Sequence, residues 1–134
     1  NMGLEAALES LVEEIGKRHG IIFDFENDGK DKPVDEEICI ILFKAVRELL
    51  VNIVKHAQTD TARVSVKRVD DNITITVEDD GVGTDLNNFD FNLGEVSGFG
   101  LFNIRERLDY LGGYFEIESA QGKGTCATLS VPLQ

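Results

Sequence analysis

Apolar residues never run on for the roughly 18 positions that a membrane span requires. The longest dense stretch, Ile38 to Phe43, is the size of a core segment. No secretory signal pattern is present, so a cytoplasmic domain with no membrane contact of its own is expected; whether the parent protein carries an anchor stays open. Cysteine is scarce too. Cys39 and Cys126 lie far apart without CxxC spacing, which points to buried free thiols in a reducing compartment. With only His19 and His56 beside them, no metal-binding cluster is expected. Basic residues are the other shortage: 13 Lys and Arg stand against 25 Asp and Glu, for a net charge of −12. Nucleic acids and anionic membranes need a basic footprint, so neither is an expected partner. A single nucleotide is not excluded, because a divalent cation can offset its charge locally.

What is present suits one domain, 1–134, with one hydrophobic core: 42% of residues are hydrophobic and 28% charged. Leu4, Leu8, Leu11 and Ile15 mark an amphipathic helix over 3–18, closed by His19 and Gly20. It begins almost at residue 1, as in a segment cut from a longer chain. Ile21 to Glu26 reads as a strand, and NDGKDKP as a polar loop ending near Pro33. A long helix is expected from Asp35 to Gln58, with acids at its positive end. Arg63–Val69 and Ile73–Glu78 alternate apolar and polar around an Asp70-Asp71-Asn72 turn, forming a hairpin with one buried face. A helix follows from Ser97, its expected N-cap, with Leu101, Ile104, Leu108 and Leu111 facing the core and Gly112-Gly113 ending it. A second hairpin, 114–119 and 125–133, closes the chain.

Four stretches carry chemistry. In ELLVNIVKHA, from Glu48 to Ala57, Leu42, Val46, Leu49 and Ile53 form the core stripe. Glu48, Asn52 and Lys55 form a second stripe roughly 120° around the helix. Asn and Glu offer oxygens to a hard cation and Lys offers charge to phosphate, although an ordinary solvated helix face with an incidental Asn has the same look. In VEDDGVG, Asp79 shares parity with Ile73, Ile75 and Val77 and so points inward, while Asp80 points out. An inward carboxylate needs a donor. No Arg or Lys lies close by in sequence, so either a ligand amino group supplies one or the motif is a plain turn. Gly81 and Gly83 allow close backbone approach or positive φ. Residues 84–97 show no period and read as a lid, a binding loop or a mobile connection, with Phe89, Phe91 and Leu93 packing it down or touching a partner. Gly98 and Gly100 open a helix whose N–H groups can meet phosphate; Arg105 and Arg107 can reach phosphate or pair with neighbouring acids. Thr125 is an inward hydroxyl at the entry of the last strand.

The ordered set ELLVNIVKHA, VEDDGVG, GFGLFNIRER and GKGTCATLSVPL resembles the ATP-binding catalytic domain of sensor histidine kinases, over essentially the whole chain. The KHA after Asn52 and the GLxxIRER helix are most similar to the branch whose response regulators carry helix-turn-helix domains. Gyrase, mismatch-repair ATPases and heat-shock chaperone ATPases share that nucleotide-binding fold.

The resemblance implies a two-layer α/β sandwich: a mixed, mostly antiparallel sheet on three helices, with an ATP lid. It implies that Asn52 binds Mg²⁺, with Glu48 beside the metal as a catalytic acid or base, and that Asp79 binds the adenine amino group. Lys55 and His56 would lie near phosphates or ribose. Gly81, Gly83, Gly98, Gly100 and Leu101 would shape the lid and phosphate pocket, and Thr125 would support adenine. The implied partners are ATP, a separate dimerisation domain bearing the phosphoacceptor histidine, and a response regulator. The segment by itself would be monomeric and the parent a homodimer. Neither His19 nor His56 has a phosphoacceptor context, so the segment is expected to bind ATP without phosphorylating itself. An anti-sigma-type serine kinase and a non-catalytic nucleotide-binding module of the same fold remain alternatives.

Overall fold

The computed structural model describes residues 2–83 and 96–133. The first helix, α1, runs Met2–His19. Its buried residues are Leu4, Leu8 and Val12, with Leu11 and Ile15 only half-buried, so the inward stripe is rotated slightly from the expected one. The helix ends because Gly20 takes a φ of 70°, which lets the Ile21 N–H reach back to the Gly16 carbonyl at 3.1 Å. Helix α2, Glu36–Asn52, is capped by Asp35, whose Oδ1 accepts from the Ile38 N–H at 2.9 Å. It buries Leu42, Ala45, Val46, Leu49 and Leu50. The expected single helix to Gln58 is not seen. After Asn52 the chain takes a π-helical turn, Ile53–Ala57, and leaves it through Gln58 at a φ of 54°.

Five strands form one sheet in the order β1-β2-β3-β5-β4. β1 is Ile22–Asn27, β2 Thr61–Val69, β3 Asn72–Asp79, β4 Tyr114–Ser119 and β5 Thr125–Pro132. β1 and β2 are parallel, as a strand–helix–strand crossover through α2 requires, and the other pairs are antiparallel. Burial alternates strictly along β3, with Ile73, Ile75, Val77 and Asp79 inside. Helix α3, Val96–Tyr110, starts one residue before Ser97, so Ser97 lies inside the helix and not at its cap. Its C-terminus closes on Gly112, at a φ of 78°, with the Gly113 N–H donating to the Leu108 carbonyl at 2.9 Å.

All three helices share one core with one face of the sheet: Leu8 of α1, Leu42 and Val46 of α2 and Leu108 of α3 meet Val66, Ile75 and Leu129. Each such side chain contributes about 1.5–3 kcal/mol when fully buried. This is the mixed two-layer α+β architecture the sequence implied. The lid residues 84–95, including Phe89, Phe91 and Leu93, lie outside the described residues. Among the described residues no helix is long and apolar enough to cross a membrane. Cys39 and Cys126 are free and half-buried rather than fully buried, and burial raises both thiol pKa values.

The NDGKDKP stretch is not simply a solvated loop. Lys32 is 1% exposed, and its ammonium donates to Glu5 of α1 at 3.1 Å, to Asn27 at 3.1 Å, to Asp28 at 2.5 Å and to the Lys30 carbonyl at 2.9 Å. Burial disfavours the charged ammonium, but its hydrogen bonds to Asp28 and Glu5 outweigh that and raise the Lys32 pKa. Asp28 in turn accepts from the Arg68 N–H at 2.7 Å, tying the loop to β2.

Candidate functional site

The site is built where β3 ends. Register places Ala62, Asp79, Thr125 and Ser119 in one row across β2, β3, β5 and β4. Asp79 is 5% exposed, as its parity required. Its donors are backbone groups: Gly81 N–H at 2.8 Å and the N–H of Thr125. Of the two readings the sequence left open, a ligand amino group or a turn, the turn supplies a donor within the protein itself. The strand's own end supplies one donor, because a turn through Gly81 folds its N–H back toward Asp79, and the neighbouring β5 supplies the other through Thr125. A carboxylate accepts about four hydrogen bonds, so acceptor capacity remains. Burial raises the Asp79 pKa, with the Asp80 charge assisting and the two N–H bonds opposing.

The glycines after Asp79 approach protein backbone. A Cβ at Gly81 would sit 2.1 Å from the Ala57 carbonyl oxygen, and the next residue, Val82, donates its N–H to that oxygen at 2.8 Å. Gly83, at a φ of 66°, lies against the Ala120 carbonyl, and the Val82 carbonyl accepts from Gly122 at 2.6 Å. The loop after β3 is therefore clamped between the end of the π turn and the β4–β5 turn. Gly124 closes the clamp: a Cβ there would lie 2.1 Å from the Asp79 carbonyl.

On the helix side, Glu48 and Asn52 are half-buried, and Asn52 is the last residue of α2 proper. Glu48 lines a small cleft of about 140 Å³ between α2 and α3 with Lys44, Asn103 and Arg107. Lys55 and His56 are exposed on the π turn. Gly98 and Gly100 fall in the N-terminal part of α3, while the Leu101 side chain lies outside the described residues. The structure thus gathers Asp79, Gly81, Gly83 and Thr125 around one sheet end, and Glu48 with Asn52 on α2. Among the described residues, no three His, Cys, Asp or Glu side chains form a ready-made metal cage.

Sequence reasoning missed three participants. Ser119, inward by parity with Phe115 and Ile117, places its Oγ 2.7 Å from Thr125 Oγ1. Gly124 was legible as part of the GKG turn. Arg63 lies on the opposite sheet face, where its guanidinium holds Asp80 at 3.1 and 3.2 Å and Glu78 at 3.0 Å. The register of the β2–β3 hairpin pairs Arg63 with Glu78 and could have revealed it. These bonds to Asp80 and Glu78 raise the Arg63 pKa and hold Asp80 below the usual carboxylate range.

A cleft of about 380 Å³ opens at this sheet end, lined by Asp79, Ser119, Gly124 and Thr125 and, around the edge, by Glu78, Asp80, Glu118 and Lys123. Glu78, Asp80 and Glu118 belong to the opposite sheet face, where Arg63 holds the first two, so on the inner side Asp79 is the charged acceptor that a hydrogen-bond-donating group would meet.

Comparison with known proteins gives the family. Residues 39–134 match the family model described as histidine kinase-, DNA gyrase B- and HSP90-like ATPase. The chain is 33% identical, over 136 aligned positions, to the oxygen sensor histidine kinase NreB of Staphylococcus carnosus, covering 99% of this chain and 37% of that protein. It is 30% identical to the signal transduction histidine-protein kinase/phosphatase DegS of Brevibacillus brevis, covering 99% of this chain and 33% of that protein. It therefore spans about a third of the length of the curated relatives it matches. A histidine kinase domain from Erythrobacter litoralis EL346 superposes with a TM-score of 0.79 over 97% of this chain and 61% of that one, at 24% identity. The chain belongs to the histidine kinase-, DNA gyrase B- and HSP90-like ATPase family.

Proposed function

We propose that this domain binds Mg-ATP and that, in the full-length protein, the γ-phosphoryl is transferred to a histidine of a separate dimerisation domain for relay to a response regulator. The observation that carries the proposal is the buried, inward Asp79 carboxylate, held at a strand end by Gly81 and Thr125 with acceptor capacity to spare. An adenine amino group is the donor that such a group suits. The names of the relatives favour histidine over serine as acceptor.

In this reading Asp79 and Thr125 hold the base. Gly81, Gly83, Gly98, Gly100 and Leu101 shape the walls around it and the phosphates. Asn52 and Glu48 turn oxygens toward the metal, and Lys55 and His56, both exposed, reach toward phosphates or ribose. Mg²⁺ typically takes one or two protein oxygens and completes its shell with phosphate and water. The half-buried Asn52 and Glu48, without a third ligand among the described residues, fit that role. Bound there, Mg²⁺ supplies charge neutralisation, and the chain's own contribution is positioning. His19 and His56 stay unphosphorylated, so the domain alone does not phosphorylate itself.

The test is phosphotransfer by the full-length protein from γ-labelled ATP. Asn52→Ala is expected to reduce phosphohistidine at least about 100-fold, as removal of a preorganised electrostatic group does, with circular dichroism unchanged. Stable phosphohistidine on this domain alone, or undiminished transfer by the variant, would contradict the proposal.

A further inference from the structure

The sheet has an open edge with a groove beside it. β1 stands at one end of the strand order. The Ile22 N–H donates to the Asp60 carbonyl at 2.7 Å and the Asp28 N–H to the Val66 carbonyl at 3.3 Å, so the even-numbered residues of β1 turn their backbone groups toward β2. Backbone groups of successive residues face opposite edges of a strand. The N–H and C=O of Phe23 and Phe25 therefore face outward, without a hydrogen bond among the described residues. Between this edge and α1 lies a groove of about 490 Å³, lined by Val12, the half-buried Phe23 and Phe25, and the exposed Glu9, Glu13 and Lys17. On the other face of the same edge Asp24 and Glu26 are exposed. Arg63, opposite Asp24 in register, is held by Glu78 and Asp80, and Lys67 comes only to 4.0 Å from Glu26.

From this we infer that the β1 edge is a docking site for an extended segment of a partner protein, added as a further strand whose side chains alternate between apolar and basic. Neighbours across a sheet share a face. The apolar side chains of the added strand enter the groove beside Phe23 and Phe25, and its basic ones lie beside Asp24 and Glu26. Glu9 and Glu13 on the groove rim favour the same partner, against Lys17 alone. A second copy of this chain is the wrong occupant. Pairing β1 with β1 would set Asp24 and Glu26 of both copies side by side on one face, where like charges are destabilising. The edge charges thus exclude self-association while leaving the backbone groups open to a segment of opposite sign. The inference stands apart from the nucleotide-site reading.

The experiment is isothermal titration of the chain with the end-capped peptide Lys-Val-Lys-Val-Lys-Val-Lys, beside a peptide of the same composition whose valines are contiguous. The alternating peptide is expected to bind at least about tenfold more tightly, the worth of two backbone hydrogen bonds, and to slow amide exchange at Phe23 and Phe25. Equal binding of the two would leave charge attraction alone and overturn the inference. Further peptides carry N-methyl groups on every valine or on every internal lysine. In an antiparallel addition the valine N–H groups face β1, and in a parallel one the lysine N–H groups do. One methylation pattern should therefore abolish binding and the other spare it, and equal behaviour of the two overturns the inference. Glu9→Lys combined with Glu13→Lys, at exposed positions, should weaken the peptide about three- to tenfold; unchanged affinity in a folded variant again overturns it. A dimer of the chain alone that the peptide dissociates would give the edge to a second copy and overturn it too.

Discussion

Asp79→Asn separates the cost of a buried charge from its use. The carboxylate is 5% exposed and has backbone donors from Gly81 and Thr125. Burial raises its pKa despite those bonds. A carboxyl whose folded pKa is raised holds its proton more tightly in the fold than in the unfolded chain. The stabilisation it gives is complete below the ordinary carboxylate range and is lost as pH rises through the folded pKa. Above the folded pKa the ionised group therefore weighs against the nucleotide-free fold. An amide of the same size keeps an oxygen for the Gly81 N–H, loses the bond from Thr125 and removes the charge. Because burial outweighs the two bonds at this carboxyl, the variant is expected to melt at a higher temperature than wild type without nucleotide. Binding moves the other way. A hydrogen bond to a charged acceptor is worth about 1.5–3 kcal/mol, so ATP affinity should fall about 10- to 150-fold. Thermal unfolding without ligand and calorimetric titration with Mg-ATP, on the same samples at neutral pH, read the two effects separately. A lowered melting temperature with undiminished ATP affinity would refute the reasoning, since Asp79 would then be a structural hydrogen-bond acceptor and nothing more.

Lys32→Ala leaves the Glu5 and Asp28 carboxylates without their ammonium and is expected to cost about 3 kcal/mol in urea unfolding, the low end for a broken buried pair because both acids keep some solvent contact. Burial opposes ionisation of Asp28, but Lys32 and two backbone N–H bonds bring its pKa down from 3.8 to about 2, so its stabilisation is present above 3.8 and lost as pH falls through about 2. The loss of stability over that interval should be shallower in Lys32→Ala than in wild type. Gly81→Ala forces a methyl against the Ala57 carbonyl and is expected to cost about 2 kcal/mol, read as a drop in melting temperature, and to weaken ATP binding by displacing the loop that follows Asp79.

Period and parity made most of the architecture legible. The alternation in Ile73, Ile75 and Val77 placed Asp79 inside before any coordinates, because a strand's side chains have only two directions. The spacing of Leu42, Val46, Leu49 and Ile53 placed α2 on the core. Helix ends were legible where glycine had to take positive φ, as at Gly20 and Gly112. What stayed hidden depends on distant backbone. No local pattern says that Lys32 will meet Glu5, 27 residues earlier, or that Gly81 and Gly124 are glycines because a distant backbone carbonyl, Ala57 of the π turn or Asp79 of β3, passes within reach. The missing donor for Asp79 was sought among charged side chains, and the backbone of its own turn supplied it. Ser119 was overlooked because an inward serine in a strand has no periodic signature distinct from a tolerated core polar residue.

The π turn explains how the two halves of the site are joined. Had α2 continued as a regular helix to Gln58, the last carbonyls would have been directed along its axis. The turn over Ile53–Ala57 carries one more residue per hydrogen-bonded ring than an α-helix, a distortion that recurs at functional sites. It ends with Ile53 and Ala57 both buried and the Ala57 carbonyl accepting from Val82. One backbone bond contributes only about 1 kcal/mol to stability. Its position gives it a larger role: Ala57 lies five residues after Asn52, and Val82 three after Asp79, so the bond ties the end of α2, proposed to face the metal, to the end of β3, proposed to hold the base. Gly81 is required between them because any side chain there would hold the ends apart. The spacing of Asn52 and Asp79, which a nucleotide would bridge from phosphate to base in the proposed site, is thus set by backbone, out of reach of rotamer changes in either residue.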